Sequence, residues 1–139
     1  MANTTKFLGI AMVVLVAGLV AGCASSGTVK KVTAGDASLL TGRWTGNVYA
    51  TGVPASTATM TVNPDGSYST QGGAFTSTGK IDLKDGYVHF MSTGGSGALG
   101  SGERSGSATL MDRGGSWGLV GNGYGSRGGP FDFDFSKGK

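Results

Sequence analysis

The chain has 139 residues, 28 of them glycine, with 11 basic and 8 acidic side chains and a formal charge of +3. So small and scattered an excess, with only Lys30 and Lys31 adjacent among the basic residues, excludes the basic face that nucleic-acid binding requires. A single cysteine excludes an intramolecular disulfide, and glycine, at about 1 kcal/mol per interior position, excludes a helical domain.

The N-terminus carries the first element. A polar start with one charge, Lys6, leads into an apolar run from Phe7 to Val20 and then to Ala21 and Gly22. Basic, apolar and small-residue regions in that order form the layout of a helical secretory signal peptide over residues 1–22, and the run is short of the roughly 20 residues that span a bilayer. The stretch Val20-Ala21-Gly22-Cys23 resembles the lipobox of bacterial lipoproteins. That resemblance implies cleavage before Cys23, a diacylglycerol on its sulfur and an acyl chain on the freed amine. Cys23 is thus the expected lipidation site and the membrane the expected partner. Several acyl chains, at about 0.8 kcal/mol per buried methylene, anchor a protein far more firmly than one. Ala24 stands where the family's inner-membrane retention signal, commonly aspartate, would be, which implies the outer membrane of a Gram-negative host, facing either side.

Residues 23–39 are small and polar, and read as a lipidated flexible tether with a reach of about 20 Å. The alternative is that Val29 and Val32 belong to an extra edge strand. Residues 40–139 form the folded domain. In "LTGRWTGNVYA", Trp44, Gly46, Val48 and Ala50 alternate with Arg43, Thr45, Asn47 and Tyr49, the period of a strand with one apolar face. Ala58, Met60 and Val62 then oppose Thr57, Thr59 and Thr61, and Asn63-Pro64-Asp65-Gly66 is a tight turn. A short strand at Tyr68–Thr70 and another at Ala74–Thr78 follow. A second hairpin turns at Asp85 and Gly86, with Ile81, Leu83, Val88 and Phe90 inside, and a third turns at Asp112–Gly115, with Ala108, Leu110, Trp117 and Leu119 inside. Phe131, Phe133 and Phe135 alternate with Asp132, Asp134 and Ser136 in the last strand.

The expected fold is all-β: a small antiparallel up-and-down barrel of seven to eight strands, which leaves no bare edge, with a two-sheet sandwich as the alternative. "GRWTG", Gly42 to Gly46, resembles the G-x-W signature of lipocalins and their calycin relatives. The resemblance implies that Trp44 plugs the closed end of a barrel beneath a ligand cavity. Envelope-bound lysozyme inhibitors form another group of small lipid-anchored barrels, but they normally carry a disulfide and an acidic surface, both missing here.

Catalysis needs a nucleophile with a base, paired acids or a metal cluster. The only histidine, His89, sits on a polar strand face beside Tyr87 and Met91, and Asp132 and Asp134 offer too few oxygens for a hard cation. Two G-x-G-x-x-G matches, at Gly95–Gly100 and Gly123–Gly128, lead into no helix and read as flexible rim loops, first of all simple connectors, with partner contact through Tyr124, Arg127 and Arg104 as the alternative. No enzyme, cofactor or metal is expected. The leading expectation is a non-catalytic outer-membrane lipoprotein whose barrel has a binding or structural role in the envelope, with an envelope protein as one partner. The alternative is a lipocalin-like carrier of a small apolar ligand lined by Trp44, Phe90 and Trp117, and internal volume separates the two.

Overall fold

A computed structural model describes residues 27–97, 103–125 and 129–139. The signal peptide, Cys23 and Arg127 lie outside these residues. The strands are β1 (Thr28–Lys30), β2 (Gly42–Ala50), β3 (Val53–Val62), β4 (Ser67–Gly72), β5 (Phe75–Lys84), β6 (Tyr87–Gly97), β7 (Arg104–Asp112), β8 (Ser116–Gly125) and β9 (Gly129–Gly138). Each of β2 to β9 pairs antiparallel with the next, and β9 returns to β2 from Thr45↔Ser136 to Ala50↔Phe131. The sheet is therefore a closed up-and-down barrel of eight strands, and the sandwich alternative is set aside.

The turn chemistry expected from the sequence is in place. At the β3–β4 turn the Gly66 N–H donates to the Asn63 carbonyl at 3.0 Å, and the Ser67 N–H donates to the Asp65 carboxylate at 2.9 Å. Asp85 and Gly86 between β5 and β6 both adopt positive φ, 55° and 85°, the pairing that matches hairpin twist. Two expectations are corrected. Residues 74–78 and 79–84, read as separate pieces, form the single strand β5 with a bulge between Thr78 and Gly79. Gly79 is there for close approach, since a Cβ on it would lie 2.0 Å from the Met91 carbonyl oxygen.

The second correction concerns the tether, because its described part packs on the barrel. β1 pairs with β7 from Thr28↔Asp112 to Lys30↔Leu110, extending β7's edge past the point where β6 ends at Val88↔Ala108. Val32 bridges to Gly86 and is buried, and a 3₁₀ turn at Ala34–Asp36 leads into the single-turn helix α1 (Ala37–Leu40). Val32 and Leu40 supply the apolar contacts that hold this segment down, so the edge-strand alternative describes it better than a free coil does.

An eight-stranded barrel is just wide enough for its inward side chains to fill it, so their sizes must be matched. Register shows how this is done. Tyr68 faces Gly79, Phe75 faces Gly97, Phe90 faces Gly106, Phe131 faces Gly123, Phe133 faces Gly121, and Phe135 faces Gly46. Each of these aromatic rings stands opposite a residue with no side chain on an adjoining strand. The strands approach accordingly: a Cβ on Gly46 would fall 2.0 Å from the Asp134 carbonyl oxygen, and one on Gly121 would fall 2.2 Å from that of Ser107.

The end of the barrel that holds the β3–β4, β5–β6 and β7–β8 turns is closed. Trp44 lies there, 0% exposed, with its indole N–H donating to the Leu40 carbonyl at 2.7 Å. The Lys137 ammonium sits 5.1 Å from the Trp44 ring centroid and donates to the carbonyls of Leu39 and Thr41. Burial lowers the Lys137 pKa below the ordinary lysine value, and the hydrogen bonds and the ring compensate the desolvated charge.

Two predictions follow from this packing. Gly46→Ala should lower stability by about 1–3 kcal/mol or more through overpacking, whereas Gly115→Ala, with nothing within 4 Å of the added carbon, should leave the urea midpoint unchanged. Lys137→Met keeps the aliphatic stem over Trp44 but strips two carbonyls of a charged donor, and should cost about 1.5–3 kcal/mol in the same denaturation experiment.

Candidate functional site

The opposite end, where β6 gives way to β7 and β8 to β9, is built differently. Arg104, expected on a rim loop, is the first residue of β7 and is only 6% exposed. It shares its inward parity with Gly106, Ala108 and Leu110, and pairs across to Ser92 on β6 and Gly125 on β8. The correction has a clear cause. The surrounding glycine run reads as a loop, but those glycines are strand residues at the barrel wall: Gly94, Gly95 and Gly97 on β6, Gly106 on β7, Gly121, Gly123 and Gly125 on β8.

Gly95 makes room for the guanidinium. A Cβ there would lie 2.1 Å from Arg104 Nη2 and 2.5 Å from the Thr76 carbonyl oxygen. Nη2 donates to that same carbonyl at 3.2 Å, while Nε and Nη1 are buried with no hydrogen-bond partner among the described residues. Among the described residues no carboxylate forms an ion pair with Arg104. Burial pushes its pKa below the ordinary arginine value, opposed by the nearby Tyr68 phenol. An arginine side chain nevertheless stays protonated, so this is a buried cation without a counter-ion.

The group borders a cavity of about 60 Å³ that Arg104 lines together with Tyr68, Thr70, Ser77, Ser92, Phe75, Phe90, Phe131 and Phe133. Tyr68 and Phe90 meet edge to face at 5.4 Å, as do Phe90 and Phe133 at 5.6 Å, which fixes the aromatic wall. Ser77 and Ser92 hydroxyls lie 3.0 Å apart, and Ser92 also donates to the Gly94 carbonyl at 2.8 Å. Burial raises the Tyr68 pKa, against the pull of the Ser77 and Ser92 hydroxyls and the Arg104 charge, so the phenol keeps its proton. Phe131 is only partly covered and forms the outer lip.

Of the three side chains expected to line a ligand site, Trp44, Phe90 and Trp117, only Phe90 borders this cavity. Trp44 belongs to the closed end, and Trp117 points inward near it, under the Lys139 ammonium at 4.6 Å from the ring centroid. The alternation that identified them as inward-facing carries no information on height along the barrel. Tyr124 is 67% exposed near the open end. His89 faces outward on β6 opposite Asp82, with Nε2 3.3 Å from the Lys84 carbonyl oxygen, far in register from the cavity's Arg104 level. Asp134 accepts two hydrogen bonds from Arg113, at 3.0 and 3.1 Å, on the outer face.

A second, larger depression of about 560 Å³ lies on the outer wall among Arg43, Thr59, Thr61, Ser69, Gln71, Thr76 and Thr78. Its groups face water and bond to it freely, whereas Nε and Nη1 of Arg104 are cut off from it, and an unpaired donor is costly only in the second setting. The inner cavity is therefore the stronger candidate despite its size. In comparisons with known proteins no family model matches the chain, and searches of curated proteins and of solved structures return no match.

Proposed function

We propose that this chain is a lipid-anchored, non-catalytic outer-membrane protein of a Gram-negative bacterium whose barrel binds its ligand through the open end. The observation that carries the reading is the contrast between the two ends. One is sealed by Trp44, Leu40 and the N-terminal segment; the other holds a cavity with two unpaired, buried guanidinium donors. Buried donors of that kind are costly unless a partner arrives, which favours a binding role over a purely structural one.

The chemistry of the lining supports the non-catalytic part. Among the described residues it is made of one arginine, hydroxyls, phenyl rings, Met60 and Gly106, and contains no carboxylate, histidine, lysine or thiol to act as a base or nucleophile. The carrier of a drug-sized apolar ligand is disfavoured by volume, since such sites enclose about 300–1,000 Å³ and this cavity about 60 Å³. The polarity of the wall supports peripheral attachment through Cys23. Its inner face is apolar and its outer face rich in threonine, serine and charge, the reverse of barrels that cross a bilayer.

The anchor also gives the barrel an orientation. Thr28 pairs with Asp112 at the tip of the closed end, and only four residues separate it from Cys23. At about 3.6 Å per residue that segment spans at most about 18 Å. The closed end therefore faces the bilayer and the cavity opens away from it.

Radiolabelled palmitate fed to bacteria expressing the chain should enter the wild type and not Cys23→Ala, and the labelled product should lack residues 1–22. A precursor that stays unlabelled and keeps those residues would overturn the anchor and the orientation together.

A further inference from the structure

We propose that the open-end cavity is a site for a small monocarboxylate, held by Arg104 at its charged end and by Phe75, Phe90, Phe131 and Phe133 along its apolar body. The inference rests on the reading of the open end as the binding end and names the ligand class.

Three features of the site point to this chemistry. The first is the orphaned pair of donors. Arg104 presents Nε and Nη1 with no partner while Nη2 is held on the Thr76 carbonyl, so the guanidinium is clamped at one corner with its remaining donors free. Each parallel fork of a guanidinium includes Nη2, with Nε or with Nη1, so a carboxylate that takes the second Nη2 N–H together with one of the two unpartnered nitrogens makes two parallel hydrogen bonds, each strengthened by charge on both sides. The second is the glycine cradle: Gly95 leaves the space in which the guanidinium lies, so the position of the cation is built into the wall of the barrel. The third is the lining beyond the charge, whose accessible surface is almost wholly apolar: phenyl rings form the chamber, with Tyr68, Thr70, Ser77 and Ser92 among the residues that border it.

Charge and volume narrow the class. Among the described residues Arg104 is the only cation in the lining, so one negative charge balances it and a second would be buried unpaired. That disfavours sulfate and hydrogen phosphate, which would also turn bare oxygens towards the phenyl rings. A cavity needs about 10–15 Å³ to hold one water, so 60 Å³ is a few waters or a short acid, not a long acyl chain. With Phe131 only partly covered at the lip, a chain of several carbons has its far end at the rim.

The test uses the full-length lipidated protein in maltoside micelles, with the Arg104 side-chain Nε–H followed by NMR during titration with butyrate, hexanoate, hexanol, and sulfate. Hexanoate and butyrate are expected to give a saturable shift of that resonance, hexanol none, and sulfate a response at least about tenfold weaker in affinity. Arg104→Met should remove the calorimetric heat of hexanoate binding while the melting temperature holds or rises, because an uncompensated buried charge has been replaced by an apolar chain. Arg104→Lys keeps the charge without the fork and should bind about tenfold more weakly or worse. Equal responses to hexanoate and hexanol, or sulfate binding as tightly as hexanoate, would overturn the proposal. So would a fold that melts far lower in Arg104→Met, with no carboxylate response in the wild type; Arg104 would then be a buttress for the Thr76 carbonyl. A protein that takes palmitate at Cys23 and binds another ligand at its open end while ignoring hexanoate would sink the carboxylate site and leave the anchored binding protein standing.

Discussion

Closure of the sheet is the constraint from which the other features descend. Once β9 pairs with β2, the bore is fixed by strand number, and every inward side chain has to fit a space that cannot widen. Six of the aromatic residues that point into it, Tyr68 and five phenylalanines, each meet a glycine across the ladder. The glycine content that excludes a helical domain thus has a structural purpose beyond bending strands. It supplies the missing volume against which Phe133, Phe135 and their neighbours pack, and it is close packing of this kind that gives a β core its single arrangement.

Against that packed background one polar group is out of keeping. Moving an ion into a low-dielectric interior costs several kcal/mol even after relaxation, and Arg104 has one carbonyl in return. The closed end shows how the same molecule treats a buried cation that serves the fold: Lys137 has two carbonyls and an indole face. The two cations sit at opposite ends of one barrel and differ in how completely their donors are used.

Much of the domain was legible in the sequence because period-two alternation is a direct imprint of a strand with one buried face. Trp44, Val48, Met60, Val62, Val88, Leu110, Leu119, Phe133 and Phe135 are all inward, as their spacing requires. The turns were legible for the same local reason, since Asn63–Gly66 and Asp85–Gly86 carry their geometry in their own residues. What local pattern does not carry is pairing. Arg104 reads as a loop residue because Gly95, Gly97 and Gly106 look like punctuation until their partners Ser77, Phe75 and Phe90 are known. Thr28–Lys30 reads as tether because three residues are too few to show a period, and only the uncovered edge of β7 makes them a strand. The cavity follows from both omissions, being defined by which inward residues share a level of the barrel.

The facing of rings by glycines also governs how such a barrel changes over generations. Enlarging Gly121 alone overfills the bore, and shrinking Phe133 alone leaves a void, so each single step is uphill while the exchange made together keeps the volume constant. Neighbouring positions of this sort are energetically non-additive. The interior therefore drifts in couples, with one member's mutation tolerated only on the background of the other's, and a lineage of these proteins would carry ring and glycine as inherited pairs even where the exposed wall between them has diverged.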